Sequence, residues 1–219
     1  MNGIVAPYDD RQQAGRELAA ALERFRGSDA AVLAIPRGGV VVGFEVAGGL
    51  QLELDVIVPR KIGAPGQPEL AIGAVASWGD HDAILDDQSV RYLGVSQDYI
   101  EREVRDQLAE VTRRLRVYRG TADPPNIQGR SVILVDDGVA TGYTTRAAAL
   151  ALRNLKAASV TLAVPVGPPD SLETIRPYVD EIVCPKTPYP FLAVGYWYRS
   201  FEQVSDEEVV ALLRAARAK

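Results

Sequence analysis

The stretch that decides the fold is residues 132–145, which read Val-Ile-Leu-Val-Asp-Asp-Gly-Val-Ala-Thr-Gly-Tyr-Thr-Thr. Its first four residues are apolar without alternation, a pattern typical of a strand buried on both faces of a parallel sheet. The two acids that follow, Asp136 and Asp137, therefore stand at the carboxyl end of that strand. In open α/β sheets this end faces the ligand crevice, so both carboxylates are predicted to line a binding site.

The turn after the two acids has the features of a phosphate site. Gly138 and Gly142 can adopt positive φ, and the amides of residues 140–144 can curl into an anion-binding nest. The helix that starts here adds partial positive charge, and hydroxyl groups come from Thr141, Thr144 and Thr145. Carboxylates repel phosphate but accept hydrogen bonds from vicinal hydroxyls. The stretch therefore predicts a ribose 5-phosphate, with its diol on the acids and its phosphate on the turn.

Other interpretations of this region fit less well. A Walker A loop requires a Gly-Lys-Ser/Thr ending, which is missing. A phosphoacceptor aspartate does not explain the Thr-Gly-Tyr-Thr at 141–144. An acidic turn followed by an ordinary helix cap explains each part but not the whole string. A dinucleotide fingerprint at residues 38–49 is disfavoured because its glycines lack the required spacing.

The rest of the chain predicts an α/β protein with a mainly parallel sheet flanked by helices, in a single domain over residues 1–219. An apolar run at 30–36 and a further buried strand expected at 54–58 enclose a helical segment at 40–50, which is the spacing of a βαβ unit. Further strands are expected at 71–77, 159–166 and 181–184. Helices are expected to begin at four caps: Asp9 or Asp10, Ser96, Asp170 with Glu173, and Ser205 with Glu208.

Composition and charge limit the classes of function that we expect for this chain. The chain has 219 residues, a net charge of −5 and a pI near 5.0, so no broad surface for nucleic acid or acidic membranes is expected. The single Cys184 and the single His81 cannot form a disulfide or a multi-histidine metal site. No apolar run approaches the roughly 20 residues that span a bilayer, and no signal peptide is visible. A cytoplasmic protein is therefore expected.

The stretch 132–145 closely resembles the phosphoribosyl pyrophosphate motif of type I phosphoribosyltransferases: an apolar strand, two acids, a short loop and Thr-Gly-x-Thr. The resemblance implies a transferase that uses phosphoribosyl pyrophosphate as donor together with Mg2+. Asp136 and Asp137 would hold the ribose hydroxyls and the metal, and Asp137 is also a candidate catalytic residue. The resemblance places the 5′-phosphate on Val139, Ala140, Thr141, Gly142, Tyr143, Thr144 and Thr145.

Residues 35–39, Ile-Pro-Arg-Gly-Gly, form a second candidate anion site. A strand that ends in Arg37, Gly38 and Gly39 before a helix offers a guanidinium and free backbone amides. The equivalent loop of type I phosphoribosyltransferases binds pyrophosphate, which the resemblance assigns here to residues 36–39. A plain strand-to-helix turn with Arg37 in solvent is the alternative.

Residues 60–70 contain two glycines and two prolines and predict a mobile loop without a core-forming pattern. The segment resembles the flexible loop that closes over the active site of these enzymes. A cation arriving with such a lid would stabilise the negative charge that grows on the leaving pyrophosphate. Arg60 and Lys61 are therefore candidate catalytic residues, with a solvated loop as the alternative.

Residues 185–202 resemble the hood of hypoxanthine–guanine phosphoribosyltransferases, in which an aromatic side chain stacks on the purine. Phe191 and Trp197 are the candidate base-stacking residues. Those enzymes carry an acid shortly after the hood, whereas Arg199 stands at the comparable place here. The identity of the acceptor is therefore left open, and a purine is one candidate.

Residues 79–129 exceed the hairpin usual at this place and predict an insertion that bears a long helix with a solvated charged face. The leading hypothesis is an enzyme that transfers ribose 5-phosphate between pyrophosphate and a nitrogenous base. Its expected ligands are phosphoribosyl pyrophosphate and a small base or nucleotide, and a homodimer is expected. The alternative is a non-catalytic regulatory protein that binds phosphoribosyl pyrophosphate or a nucleotide.

Overall fold

The computed structural model describes residues 6–76 and 83–218. This part of the chain contains eight strands: β1 (Ala31–Ala34), β2 (Glu53–Val56), β3 (Pro59–Ala64), β4 (Gln67–Ala76), β5 (Ile84–Leu85), β6 (Ser131–Val135), β7 (Ser159–Ala163) and β8 (Glu181–Val183). It also contains seven α-helices: α1 (Arg11–Ala21), α2 (Gly38–Leu50), α3 (Asp87–Tyr92), α4 (Gln97–Arg119), α5 (Tyr143–Asn154), α6 (Pro169–Ile175) and α7 (Asp206–Arg217). Ser77, the expected end of a strand, and His81 lie outside the described residues.

Five strands form a central parallel sheet in the order β2-β1-β6-β7-β8. β1 and the run 132–135 of β6 are apolar without alternation because helices cover both faces of the sheet, whereas the edge strand β2 alternates between more exposed and buried residues. In β6, Ile133 and Val135 pack into the core on one face, whereas Val132 and Leu134 pack into the core on the other. The predicted fold class, α/β with a mainly parallel sheet flanked by helices, is confirmed.

Two apolar clusters hold the sheet between its helices. Leu18 of α1, Val46 of α2 and Leu213 of α7 are fully buried on one face. Leu152 of α5 and Ile175 of α6 are fully buried on the other. Burial of each such side chain contributes roughly 1.5–3 kcal/mol, so the clusters hold the strand ends, and the loops that leave them, in place.

The register of the two central strands brings their carboxyl ends together. Ala34 of β1 pairs with Val135 of β6, and the amide of Ile35 donates to the carbonyl of Val135 at 2.8 Å. The loop after β1 and the loop after β6 therefore leave the sheet side by side.

Residues 60–70 form a β-hairpin, so the prediction of a mobile loop without a core pattern was wrong. β3 and β4 pair antiparallel, and the turn between them includes Gly66 at a φ of +71°. Ile62 and Ile72 are fully buried in a cluster with Val104 and Leu108 of α4. The apolar residues of the hairpin find their partners on a helix that is distant in sequence, which a local pattern does not reveal.

The long helix that was predicted within residues 79–129 is confirmed as α4. The hydroxyl of Ser96 accepts from the amide of Tyr99 at its start, and Gly120 ends it at a φ of +79°. Ile100 and Leu115 are buried, whereas most of its charged side chains face solvent. Within residues 6–76 and 83–218, no helix combines the length and apolar character needed to cross a bilayer.

Three of the four expected helix caps are present in the structure, and one is not. Asp10, and not Asp9, caps α1, and Ser205 and Glu208 form the expected capping box of α7. The expected cap by Asp170 with Glu173 was wrong, because α6 begins at Pro169, two residues earlier than a cap at Asp170 requires, and no side chain caps it. A proline at the first helical position already has helical φ, and the amide that it lacks would have had no partner within the helix.

Candidate functional site

The loop after β1 lies directly against the two acids after β6. A Cβ atom at Gly38 would stand 1.9 Å from Oδ2 of Asp137, and one at Gly39 would stand 2.9 Å from Cα of Asp136. Only residues without a side chain can therefore occupy positions 38 and 39. The peptide bond that leads into this loop, between Pro36 and Arg37, is cis. Both predicted anion-binding segments thus contribute to one site.

Asp136 and Asp137 share a poorly solvated environment. Oδ1 of Asp136 accepts from the amide of Asp137 at 2.8 Å. Burial raises the pKa of Asp136, and the neighbouring Asp137 carboxylate raises it further. Burial also raises the pKa of Asp137, whereas Arg11 opposes that shift. Two carboxylates held this closely favour binding of a shared cation or of hydroxyl donors.

Arg11 is a site residue that the sequence did not reveal. It is the first residue of α1, and its Nε donates to Oδ2 of Asp137 at 2.7 Å. Its Nη1 donates to the carbonyl of Glu202 at 2.8 Å, and its guanidinium lies 3.8 Å from the ring centroid of Phe201. The arginine and Asp137 are 126 residues apart, and no motif links them. Only the packing of α1 against the site brings them together.

The loop after the acids ends in an open helix start. Gly142 precedes α5 at a φ of +78°, and no side chain caps the helix. The first helical hydrogen bond runs from the amide of Arg146 to the carbonyl of Gly142 at 2.9 Å. The amides of residues 143–145 therefore have no partner within the helix, which is the arrangement that binds phosphate.

Two of the predicted phosphate-binding residues, Val139 and Thr145, are buried in the structure. The amide of Val139 donates to the carbonyl of Val166 at 2.9 Å, and its side chain is buried. The side chain of Thr145 is also buried. The prediction for Val139 is corrected, because its amide anchors the loop to the segment after β7 and is not free for a ligand. A phosphate contact by Thr145 stays a prediction. Residues 140, 141 and 144 remain at least partly accessible.

The sequence suggested a positive φ at Gly138. In the structure this glycine does not have a positive φ, and it serves close packing instead. A Cβ atom there would stand 2.5 Å from Cγ1 of Val194 in the hood. The hydroxyl of Tyr198, also in the hood, donates to the carbonyl of Asp137 at 2.5 Å. The hood and the acidic turn therefore hold each other in place.

The side chain of Tyr143 connects the phosphate loop to the insertion. Its hydroxyl donates to Oδ2 of Asp86 at 2.8 Å, and the Arg146 guanidinium lies 4.6 Å from its ring centroid. Asp86 caps α3 by accepting from the amides of Gln88 and Ser89. The hydrogen bond from Tyr143 and those from Ser89 lower the pKa of Asp86, so its carboxylate is the stable form. The start of α5 is thus tied to the start of α3.

Arg37 is paired and does not extend freely into solvent. Its Nη1 lies 3.7 Å from Oδ1 of Asp206, at the first position of α7. The hydroxyl of Tyr118 on α4 donates to the same oxygen at 2.6 Å. A cavity of about 360 Å³ opens beside this group and is lined by Arg37 and residues 203–207.

Arg60 and Lys61 lie on β3, on the hairpin and not on a loop. Nε of Arg60 donates to Oε1 of Gln107 on α4 at 2.9 Å, so its guanidinium is engaged with the insertion. Lys61 is exposed. A catalytic role for either residue stays a prediction.

The two predicted base-stacking residues stack on each other. The rings of Phe191 and Trp197 are 6.3 Å apart with an interplanar angle of 21°, and both are half-buried beside Tyr8 and Tyr198. The hood also pairs with the amino-terminal segment, because the amide of Tyr8 donates to the carbonyl of Trp197 at 2.8 Å. The ring faces that pack together are closed to a base. The ring faces at this contact are therefore not available for stacking on a base. A base contact by either residue stays a prediction.

Other hood side chains are open to solvent. Tyr189, Leu192 and Tyr196 are 84%, 73% and 70% exposed. Arg199, which stands where the purine enzymes carry an acid, lies 3.2 Å from Asp9. The exposed side chains offer apolar surface that the sequence analysis did not single out.

Comparison with known proteins identifies the family. Residues 7–198 match the family described as phosphoribosyl transferase domain. The chain belongs to the phosphoribosyltransferase family. The match includes the loop at 36–39, the acids at 136 and 137 and most of the hood.

Relatives of this phosphoribosyltransferase-family chain occur in two bacteria. Proteins of Mycobacterium tuberculosis strains CDC 1551 / Oshkosh and ATCC 25618 / H37Rv, named "Putative phosphoribosyl transferase" MT0597 and Rv0571c, are each 46% identical over 209 residues. The alignments cover 95% of this chain and 47% of each relative, so the chain spans about half their length. The crystal structure of TT1426 from Thermus thermophilus is similar with a TM-score of 0.79 at 41% identity, covering 94% of this chain and 97% of that one.

The acids fit the Mg2+ that phosphoribosyltransferases generally use with phosphoribosyl pyrophosphate. Mg2+ prefers oxygen ligands and usually binds through one or two carboxylates together with substrate phosphates and water. Asp136 and Asp137 supply such carboxylates. Within the described residues, no group of three or more acidic, histidine or cysteine side chains forms a complete metal site. The two acids therefore suit a metal that is shared with a bound phosphate compound.

Proposed function

We propose that this chain transfers ribose 5-phosphate between pyrophosphate and a nitrogenous base, with phosphoribosyl pyrophosphate as the donor. The observation that carries this proposal is the contact of the loop at Gly38 and Gly39 with Asp136 and Asp137 beside the open start of α5. A donor with a phosphate at one end, a diol in the middle and a pyrophosphate at the other end matches these three groups in order.

The 5′-phosphate would bind at the start of α5. The free amides of residues 143–145 carry partial positive charge, and the accessible Thr141 and Thr144 add hydroxyls. The ribose diol would donate to the carboxylates of Asp136 and Asp137. The pyrophosphate would then lie on the amides of the loop at 36–39, with Arg37 nearby.

The transfer itself needs no protein nucleophile. The bond between C1 of the ribose and the pyrophosphate oxygen breaks, and its electron pair leaves with pyrophosphate. A nitrogen lone pair of the base forms the new bond to C1, and the base loses a proton. Mg2+, when bound with the donor, would neutralise charge on the pyrophosphate. Asp136 and Asp137 would stabilise the positive charge that develops on the ribose ring.

The acceptor would bind under the hood. Tyr189, Leu192 and Tyr196 expose apolar and aromatic surface, which suits a planar base. A purine is the candidate acceptor.

Lys61 would assist the departure of pyrophosphate. It is exposed on the hairpin and would approach the leaving group when the hairpin moves toward the site. A Lys61→Met variant should then lose at least about tenfold in kcat with unchanged folding, because the charge on the leaving group would lack its counter-ion. An unchanged kcat would remove Lys61 from the catalytic residues.

A second candidate function is non-catalytic binding of phosphoribosyl pyrophosphate or a nucleotide by a regulatory protein. One observation favours it: Phe191 and Trp197 pack on each other, so the hood offers no aromatic pair of the expected kind for a base. The donor site is the same in both functions.

One experiment separates these functions. The protein is incubated with phosphoribosyl pyrophosphate, Mg2+ and a panel of purines and pyrimidines, and pyrophosphate release is measured next to donor binding by calorimetry. Release with one base class supports the enzyme. Tight donor binding without release for any base supports the regulatory protein. The double variant Asp136→Asn, Asp137→Asn should lose donor binding in both cases, whereas Asp98→Asn at an exposed position of α4 should bind normally; normal binding by the double variant would contradict the proposed site.

A further inference from the structure

One cation from outside the two anion-binding loops reaches into the donor site. Arg11 belongs to α1, which precedes the central sheet, yet its Nε donates to Oδ2 of Asp137 at 2.7 Å. The side chains of Arg11 and Asp137 are 10% and 15% exposed, so water screens this pair only weakly. The contact fills one oxygen of the carboxylate on which a divalent cation would depend.

The surroundings of Arg11 hold its guanidinium in a fixed orientation. Phe201 lies under it with the ring centroid at 3.8 Å, and the carbonyl of Glu202 accepts from Nη1 at 2.8 Å. Neither contact is with a carboxylate, so among these partners Asp137 alone neutralises the charge. A group held this way can give up its ion pair and keep its packing, because the ring and the carbonyl remain.

Arg11 also borders the other half of the site. Its Nε is 2.8 Å from the Cβ position built on Gly38, in the loop that would hold pyrophosphate. The guanidinium thus stands between an acid that suits a metal and a loop that suits an anion. A cation in this place repels a free divalent cation and attracts a polyphosphate.

We propose that Arg11 is an exchangeable counter-ion: it occupies Asp137 while the site is empty and yields the carboxylate to a divalent cation that arrives with the donor. The consequence is that a free divalent cation binds weakly to the empty site, because Arg11 holds the carboxylate of Asp137. This inference rests on the proposed donor site at Asp136 and Asp137.

The test measures binding of Mn2+ alone, without donor or base, by electron paramagnetic resonance at constant pH. Wild-type protein is compared with Arg11→Met, which keeps the packing on Phe201 but removes the charge, and with Arg11→Lys, which keeps the charge. Arg16→Met on the same helix is the matched control, because the side chain of Arg16 is 60% exposed and lies 3.9 Å from Glu45, away from the acids. Arg11→Met should bind free Mn2+ about tenfold more tightly than wild type, whereas Arg11→Lys and Arg16→Met should match wild type.

Equal or weaker Mn2+ binding by Arg11→Met would overturn the proposal, and so would equal gains in the Met and Lys variants. Thermal unfolding of each variant shows whether it is folded. Should Arg11→Met not fold, Arg11→Gln decides, because it also removes the charge and should raise Mn2+ affinity; no increase overturns the proposal. Donor binding by wild-type protein is measured separately, so a failure of the proposed function is distinguished from a failure of the counter-ion role.

Discussion

Gly38 and Asp137 are in such close contact that a single methyl group at position 38 would stand 1.9 Å from Oδ2 of the aspartate. The contact joins the loop after β1 to the acids after β6, two segments that are adjacent because Ala34 pairs with Val135 in the sheet. An anion on the loop and a diol on the acids would consequently be neighbours.

Gly38→Ala should disrupt the site. The added methyl group must displace either the Asp137 carboxylate or the loop, at a cost of about 1–3 kcal/mol in the free energy of unfolding. Donor affinity, measured by calorimetry, should fall at least about tenfold. Gly49→Ala is the control, because its Cβ would meet a single methyl group at 3.0 Å, that of Ala19, away from the site. Unchanged donor affinity in Gly38→Ala would show that the loop does not contact the ligand.

The hydrogen bond between Tyr143 and Asp86 should stabilise the start of α5. A double-mutant cycle with Tyr143→Phe and Asp86→Asn should give a coupling of about 1 kcal/mol in urea unfolding at neutral pH. Because the pKa of Asp86 is lowered in the folded protein, its contribution is present above the ordinary aspartate pKa and is lost as pH falls through the lowered value. A coupling near zero at neutral pH would mean that the bond has no energetic role.

The raised pKa of Tyr118 should make the free energy of unfolding fall at alkaline pH. Burial, together with the hydrogen bond to Asp206, raises the pKa of Tyr118 from 10.0 to about 12. The protonated phenol therefore contributes stability that is fully present below the ordinary pKa and is lost as pH rises through about 12. The difference in unfolding free energy between wild type and Tyr118→Phe should shrink over this range. Tyr92→Phe, at a side chain that is 88% exposed, should show no such change.

Substitutions at buried and at exposed positions of the hood should affect stability and acceptor binding separately. Trp197→Ala removes a half-buried ring that packs on Phe191 and should lower the free energy of unfolding by about 2 kcal/mol. Tyr196→Ala removes an exposed ring and should change it by less than about 0.5 kcal/mol. If the exposed hood side chains contact the acceptor, Tyr196→Ala should raise the KM for the base with stability unchanged. An unchanged KM would place the acceptor elsewhere.

The prediction of the fold from sequence succeeded where the signal was local. Continuous apolar runs such as 132–135 predicted buried parallel strands, and Ser96 and Ser205 predicted helix starts, because strand burial and capping depend on neighbouring residues. The strand at 71–76 was predicted, but its hairpin partner β3 was missed because Ile62 is buried in a cluster with residues of α4, a helix far along the chain. Val139 was assigned to a ligand because a motif specifies residue types and does not show that the amide of Val139 donates to Val166.

By itself, the sequence determined the α/β class and the two acids at the end of β6, because periodicity and the position of a strand end are properties of a short segment. Only the tertiary structure decided that Arg11 lies on Asp137, that Arg37 pairs with Asp206, and that Phe191 packs on Trp197. These contacts join segments that are distant in the chain or turn side chains toward one another. Their geometry follows from how the helices and the hood pack against the sheet, and no spacing of residues encodes it.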